Sequence, residues 1–221
     1  MIDAAAPTHG WKDRAQALVP DLARRPTVLV AHGLAVPAAI AAALATPPVA
    51  LVLCNGPLRA LDPVTRMLAR ACATRAGAAV TQRTLLQRRA WIGWLASSAG
   101  LRRAVVNPYV MDHDTVAALC GPLVDTAAGR AAVATYLGSL VSLPDPRALR
   151  CPVLLLWGDA DPLYPMAEAA FLEAGISTVE HRAVPGGQHV HPVERPWEMA
   201  DRLAAWLLDQ GVALAPATGM S

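Results

Sequence analysis

Residues 26–56 read PTVLVAHGLAVPAAIAAALATPPVALVLCNG and contain no Asp, Glu, Lys or Arg. Three internal prolines, Pro37, Pro47 and Pro48, divide this stretch into an apolar run, an Ala-rich segment and a second apolar run. Short apolar runs on either side of a helical segment are typical of two buried parallel strands that a crossover helix connects. The sequence therefore predicts strands over Thr27–Ala31 and Val49–Cys54 with a helix between them. The alternative is a transmembrane span, which the length permits but which would have to include the prolines.

The composition indicates one globular domain. The chain has 221 residues, of which 54% are hydrophobic and 16% charged, with a formal net charge of +2. A disordered chain would need fewer apolar residues and more charge, and a solenoid would need an internal repeat that this sequence lacks. We predict reduced thiols, with no disulfide framework, metal site or cofactor, because the cysteines are widely spaced and no His stands at metal-ligand spacing from them. These cysteines are Cys54, Cys72, Cys120 and Cys151.

Further along the chain, Cys151–Trp157 and Thr178–Val184 predict two more strands. Helical periodicity predicts helices over Lys12–Arg24, Val64–Thr74, Met166–Glu173 and Pro196–Gln210. Between about Thr81 and Leu143 only helical periods and helix breakers occur. The pattern indicates an open parallel sheet with a helical insertion. In such sheets ligands bind beyond the carboxyl ends of the strands, so the residues directly after each strand are the candidate site.

The segments around the last two predicted strands resemble the α/β-hydrolase superfamily. PVLLLWGDADP at residues 152–162 is similar to the strand and turn that carry the family's catalytic acid. PGGQH at residues 185–189, followed by ERPWE, is similar to the loop of its catalytic histidine. The resemblance covers about residues 12–208 and implies an α/β fold, with a parallel sheet flanked by helices and a helical cap inserted into it. The expected division of the chain is core, cap and core, over residues 1–80, 81–149 and 150–221.

By that resemblance Asp161 stands at the position of the catalytic acid and His189 at that of the base. A carboxylate beside an imidazole fixes its tautomer and stabilises its charged form. Asp159 and His191, each two residues away, are alternatives for the two roles, and either Asp would also serve as a helix N-cap. We predict that Asp161 and His189 form the pair.

The nucleophile motif departs from the family pattern. Where Gly-x-Ser-x-Gly is expected, the sequence reads Ala31-His32-Gly33-Leu34-Ala35, with Gly33 in the position of the serine. Glycine accepts a left-handed backbone without strain, so the sharp turn would survive without its hydroxyl. Both flanking glycines are also replaced, which favours natural divergence over a single engineered substitution. The amide of Leu34 would remain as one oxyanion donor, and His32 is expected beside the ligand.

The beginning of the sequence departs from the family as well. Family members open with strands and a His-Gly oxyanion loop, whereas residues 2–10 resemble the end of the fourth strand and its turn. We therefore expect an amino-terminally shortened sheet without that loop. The family's third strand lies beside the one that leads to the nucleophile, so Thr27–Ala31 would have a free edge. That edge predicts a homodimer or another protein complex, unless residues 1–7 fold back against it.

Cys54, at the end of the second strand, is another candidate nucleophile or ligand-binding residue. It would lie near the same crevice. The alternative is a small buried core residue, which the sequence favours because no cation or helix N-terminus stands beside it to lower the pKa of the thiol.

The predicted cap carries a strong positive charge. Residues 63–111 contain eight Arg and no Asp or Glu. Trp91 and Trp94 form an apolar stripe on a predicted helix that includes Arg88 and Arg89. This combination predicts a surface for an anionic partner or a membrane; the alternative is a cap whose tryptophans pack over the ligand pocket. Nucleic acid is not expected as a partner, because the chain has a single lysine and no recognition motif.

The expected function depends on the absence of a serine at position 33. Hydrolysis through an acyl-enzyme is not expected, and the favoured interpretation is a non-hydrolytic binding or accessory subunit, a pseudoenzyme that is cytoplasmic or peripheral to a membrane. One alternative is an enzyme that uses Asp161 and His189 as a general base on an apolar small molecule, because proton abstraction needs no serine. The other is a hydrolase with a relocated nucleophile such as Cys54. An accessible pocket beside His189 would favour an enzyme, and a filled one would favour a binding role.

Overall fold

The computed structural model describes residues 10–176 and 178–212. The sheet in this part of the chain is parallel, with the spatial order β1-β2-β3-β4. The strands lie within two residues of their predicted bounds, so the predicted α/β sheet is confirmed. They are β1 (Val28–His32), β2 (Ala50–Cys54), β3 (Val153–Gly158) and β4 (Val179–Val184).

The α-helices lie before, between and after these strands. Short 3-10 turns join several of them, and one such turn, Gly33–Ala35, connects β1 directly to the helix that follows it. The helices are α1 (Trp11–Arg24), α2 (Val36–Ala45), α3 (Pro63–Cys72), α4 (Arg75–Arg83), α5 (Arg88–Leu95), α6 (His113–Cys120), α7 (Ala127–Ser139), α8 (Ala167–Glu173), α9 (His191–Glu194) and α10 (Pro196–Asp209).

The core lies on both faces of β2 and β3, because alternate side chains of a strand point to opposite faces. On one face Leu53 and Leu155 pack with residues of α2 and α8. On the other face Val52 and Leu154 pack with Trp206 and other residues of α10. All residues of β2 and β3 are buried, as their wholly apolar sequences predict.

β1 differs from its prediction as a buried strand. Only Ala31 of this strand is buried, and the side chain of Val30 is 51% exposed. The reason is its position, since β1 is the edge strand of the described sheet and pairs there only with β2. Residues 1–7, which were expected as a replacement strand, lie outside the described residues.

The segment between β2 and β3 is helical, and none of its residues is in a strand. Asp62 begins α3, because its Oδ1 accepts the N–H groups of Val64 and Thr65 at 3.1 and 3.3 Å. Leu86, Leu137 and other apolar side chains of the segment pack together, and a second cluster continues to Val190 in the loop after β4. The helices thus cover the carboxyl ends of the strands.

No single helix in the described ranges is long and apolar enough to cross a membrane. The stretches His113–Leu123 and Ala127–Ser139 reach the required length and composition only as a pair, and they meet at 90°. The apolar residues that offered a spanning alternative in the sequence form β1, α2 and β2 instead.

Candidate active site

The candidate site lies at the edge of the sheet where the four strands end. Gly33 follows β1, Asn55 follows β2, Asp161 lies in the turn after β3, and His189 lies in the loop after β4. Because all strands are parallel and aligned in register, residues distant in sequence meet at this edge. It is the position at which ligands bind in open α/β sheets.

Asp161 and His189 form a buried pair. Asp161 Oδ2 lies 3.0 Å from His189 Nδ1, and the N–H of Leu163 donates to Asp161 Oδ1 at 2.7 Å. Burial raises the pKa of Asp161, but the hydrogen bonds and charge of its partners, above all those of His189, outweigh burial and hold this pKa below its ordinary value. An ionised Asp161 that accepts the Nδ1–H leaves Nε2 of His189 as the basic nitrogen.

Asn55 completes the support of this carboxylate; the sequence placed it among the residues directly after a strand but assigned it no role. Its Nδ2 donates to Asp161 Oδ2 at 2.6 Å, and its Oδ1 accepts the N–H of Gly158 at 2.8 Å. The residue is fully buried and has a φ of +35°, a backbone region that Asn tolerates better than most residues. The available signal was an Asn directly after a buried strand.

Gly33 occupies a sharp turn against His189. Its φ is +58°, and a Cβ at this position would lie 3.3 Å from His189 Nε2. Gly56 allows the loop after β2 to approach closely, since a Cβ there would lie 2.5 Å from the carbonyl oxygen of Gly33. The Tyr136 hydroxyl of α7 donates to the carbonyl oxygen of Leu34 at 2.6 Å, which holds the turn from the helical side. The turn thus places Gly33, a residue without a hydroxyl, directly beside Nε2 of His189.

His32 supports the loop that carries His189. Its Nε2 donates to the carbonyl oxygen of His189 at 2.7 Å, and the two ring centroids are 4.8 Å apart. Burial and, after it, the neighbouring charge of His189 lower the pKa of His32 to about 4. His32 is therefore neutral at physiological pH.

Asp159 and His191, the alternatives for the acid and the base, are not part of the Asp161–His189 pair. Asp159 is exposed, and its Oδ1 accepts the N–H of Gly186 at 2.7 Å. His191 is fully buried, and its Nδ1 donates to the carbonyl oxygen of Gln188 at 2.8 Å. The structure thus joins Asp161 with His189, while Asp159 and His191 hold the backbone of the surrounding loop.

A cavity of about 210 Å³ lies against His189. Its wall is mainly apolar and includes Leu34, Leu163 and Tyr164 from the core side. Besides His189, its charged or polar residues include Thr65, Asp62 and Arg103, and the Oδ1 of Asp62 lies 3.9 Å from the Nη2 of Arg103. A mainly apolar cavity with a few polar groups is the usual form of a small-molecule site.

The tryptophans of the helical segment line this cavity. Trp91 and Trp94 of α5 face each other with ring centroids 5.5 Å apart, and both border the cavity. Arg88 forms an ion pair with Asp125 at the protein surface, and Arg89 is exposed beside it. The structure thus brings both tryptophans to the site and leaves both arginines outside it.

Cys54 does not border the cavity. It is buried among aliphatic side chains and Trp206, in the core on the α10 face of the sheet. Burial raises the pKa of its thiol to about 12, which disfavours the nucleophilic thiolate. The described residues also contain no group of three or more His, Cys, Asp or Glu that could hold a metal ion.

Comparison with known proteins bears on the fold as a whole. A sequence model described as the Alpha/beta hydrolase family matches residues 3–206. No curated protein sequence matches the chain.

Solved structures with the same fold include esterases. A thermophilic esterase from Thermogutta terrifontis is 20% identical, with a TM-score of 0.66 over 93% of this chain and 75% of that one. A carboxylesterase from the thaumarchaeon Nitrososphaera gargenis is 16% identical, with a TM-score of 0.65 over 94% of this chain and 75% of that one. At these identities the likeness concerns the fold alone.

Proposed function

The chain belongs to the alpha/beta hydrolase family, and we propose that it is a general-base enzyme that acts on an apolar small molecule without an acyl-enzyme intermediate. The observation that carries this proposal is the cavity of about 210 Å³ that His189 lines. Gly33 supplies no hydroxyl to this histidine, whereas the histidine and its carboxylate partner are in place. A proton acceptor with access to a cavity is what proton abstraction needs.

The proposed step transfers one proton. A C–H or O–H bond of the substrate breaks, the proton goes to Nε2 of His189, and the electron pair remains on the substrate. Asp161 stabilises the imidazolium that forms, because its carboxylate already accepts the Nδ1–H. The N–H of Leu34, a residue that lines the cavity at the turn leading into α2, is the backbone group that we expect to stabilise the negative charge on the substrate.

The walls of the cavity indicate the class of substrate. A cavity of about 150 Å³ is enough for benzene, so this one suits a monocyclic molecule or one of similar bulk. Trp91 and Trp94 both line it. A small apolar carbonyl compound fits this site, because its body matches the apolar wall and its carbonyl group acidifies the neighbouring C–H bond from which a histidine would take the proton.

A second candidate function is binding without turnover. It is favoured by Gly33, since the position that carries the nucleophile in the family pattern has no hydroxyl. In this case the cavity would hold the same kind of small apolar molecule, and His189 would serve only to shape it.

Solvent exchange distinguishes the two functions. A panel of small apolar ketones, incubated with the protein in D₂O, is followed by NMR for loss of the proton next to the carbonyl. His189→Asn keeps an amide donor for Asp161 and removes the basic Nε2. His191→Asn is the matched control, because it keeps a donor for the carbonyl of Gln188 and leaves the cavity unchanged.

We expect exchange with the native chain and with His191→Asn, and a rate roughly two to four powers of ten lower with His189→Asn. Ketones that bind to both His189→Asn and the native chain, without exchange in either, would establish the binding function instead. Equal exchange rates in the native chain and His189→Asn would refute the general-base role.

A further inference from the structure

A second cleft lies on the opposite side of α3 from the cavity of the candidate active site. Val64, Thr65 and Leu68 of this helix border that cavity. Arg66 and Arg70, together with Ala69, border the second cleft, which has a volume of about 480 Å³. One helix therefore separates the two spaces, and a ligand of the second cleft would not depend on general-base chemistry at His189.

Arg66 and Arg70 give the cleft an uncompensated positive charge. They stand four residues apart on α3, so their side chains emerge next to each other on one face of the helix. Both residues are exposed, and in the described ranges no carboxylate forms an ion pair with either guanidinium.

Asp145 lines the cleft and Glu168 lies behind its wall, and each of these carboxylates is bound to another arginine of the cleft. Glu168 accepts the backbone N–H of Arg59 at 3.0 Å and its Nη2 at 3.1 Å. Asp145 Oδ2 accepts from Arg147 Nη2 at 2.7 Å. Each of these two pairs is close to neutral, so Arg66 and Arg70 leave about two net positive charges at the cleft.

The remaining wall is apolar. Leu58, Leu61 and Ala69 are buried at the cleft, and the side chain of Val141, which also borders it, is 57% exposed. The Arg59 guanidinium lies over the ring of Phe171, 4.5 Å from its centroid. An inorganic ion would use only the charged part of this wall, whereas an organic anion would also cover the apolar part.

We propose that the cleft binds an organic oxyanion, in which a phosphate or carboxylate group contacts Arg66 and Arg70 and an apolar body lies against the leucines and Phe171. Two neighbouring guanidiniums favour an anion with several oxygens, because each guanidinium can donate two parallel hydrogen bonds. The apolar wall then selects for the group that carries the anion.

Calorimetric titration with phenyl phosphate, benzoate and inorganic phosphate tests the proposal; an ionic strength of about 0.15 M largely screens charges that lie more than about 8 Å apart. Arg66→Gln/Arg70→Gln should weaken phenyl phosphate binding by roughly tenfold or more. Arg75→Gln/Arg83→Gln is the matched control, because it removes the same charge from two exposed arginines of α4 that lie outside the cleft. This control should change the dissociation constant by less than about twofold, since distant surface charges are screened.

A second pair of variants leaves the arginines intact. Val141→Asp places a negative charge at the cleft and should weaken binding, while Val141→Asn has nearly the same shape and should not. His189→Asn should leave binding unchanged, which separates this cleft from the active-site cavity. Phenyl phosphate should bind more tightly than inorganic phosphate, and benzoate shows whether a carboxylate replaces the phosphate group.

The proposal is refuted if the native chain binds none of the three anions at millimolar concentration. It is also refuted if the variants of α3 and α4 weaken binding equally, because the effect would then be one of net charge. Loss of binding in His189→Asn would move the ligand to the other cavity and would equally overturn it.

Discussion

Substitution of Gly33 tests whether this residue occupies a preserved nucleophile elbow. Its φ of +58° costs a residue with a side chain about 1–2 kcal/mol. A Cβ would also lie 3.3 Å from His189 Nε2, which is close enough that the imidazole ring must shift slightly. We therefore expect Gly33→Ala to lower the free energy of unfolding by about 1–2 kcal/mol, or Tm by about 2–8 °C for a domain of this size.

Gly33→Ser should cost less than Gly33→Ala. Both substitutions carry the same backbone strain and the same Cβ contact, but the serine hydroxyl can donate to Nε2 of His189. A hydrogen bond of this kind raises the free energy of unfolding by about 1 kcal/mol. Urea unfolding at pH 7 measures the difference between the two variants, and the alanine variant serves as the control for strain.

The same serine should become reactive because Nε2 can accept its proton. We expect a fluorophosphonate to label Gly33→Ser at residue 33, and to label neither the native chain nor Gly33→Ala there. Adding His189→Asn to Gly33→Ser should slow the labelling by roughly two to four powers of ten. Equal losses of stability in the serine and alanine variants, together with no labelling, would show that residue 33 does not face Nε2.

Three further predictions concern the support of the pair, its pH dependence and the edge of the sheet. Asn55→Ala should lower the free energy of unfolding by about 3 kcal/mol, because a hydrogen bond to a carboxylate and one to the backbone are both lost from a buried site; the exposed Asn107→Ala is the control, and urea unfolding measures both. The pKa of His32 falls from 6.5 to about 4 on folding. As the pH falls below about 6.5, the unfolded state therefore takes up a proton that the folded state does not. The contribution of His32 to the free energy of unfolding is full above that pH and is lost towards pH 4. Relative to His32→Gln, which keeps a donor for the carbonyl of His189, the native chain should lose about 2–3 kcal/mol between pH 7 and pH 4; a difference that does not vary with pH would contradict this. We also expect β1, the edge strand of the described sheet, to pair with a second copy of the chain, so that sedimentation gives a dimer for the native chain and a monomer for Val30→Lys, which places a charge in this strand. A native monomer would show the expectation wrong.

The sequence alone was sufficient to predict those elements that neighbouring residues determine. β2 and β3 were predictable because a short, wholly apolar run between helix breakers fits a strand buried on both faces. The sharp turn at Gly33 was also predictable. A strand, a small residue and an Ala-rich helix follow one another there, and these neighbouring residues alone specify a turn. Asp161 and His189 were identified by motifs, each contained in a few consecutive residues.

Contacts between distant segments were decided only by the tertiary structure. Asn55 binds Asp161 across a separation of 106 residues, and no periodicity in the chain indicates such a contact. The helical pattern of Trp91 and Trp94 fits a position at the cavity and a position facing an outside partner equally well. The packing of α5 placed them at the cavity. The exposure of Val30 followed from the place of β1 at the sheet edge, not from its own apolar sequence. A residue pattern fixes the local conformation of a segment, whereas its neighbours depend on how all segments share one core, and so the contacts of this site appear only in the folded chain.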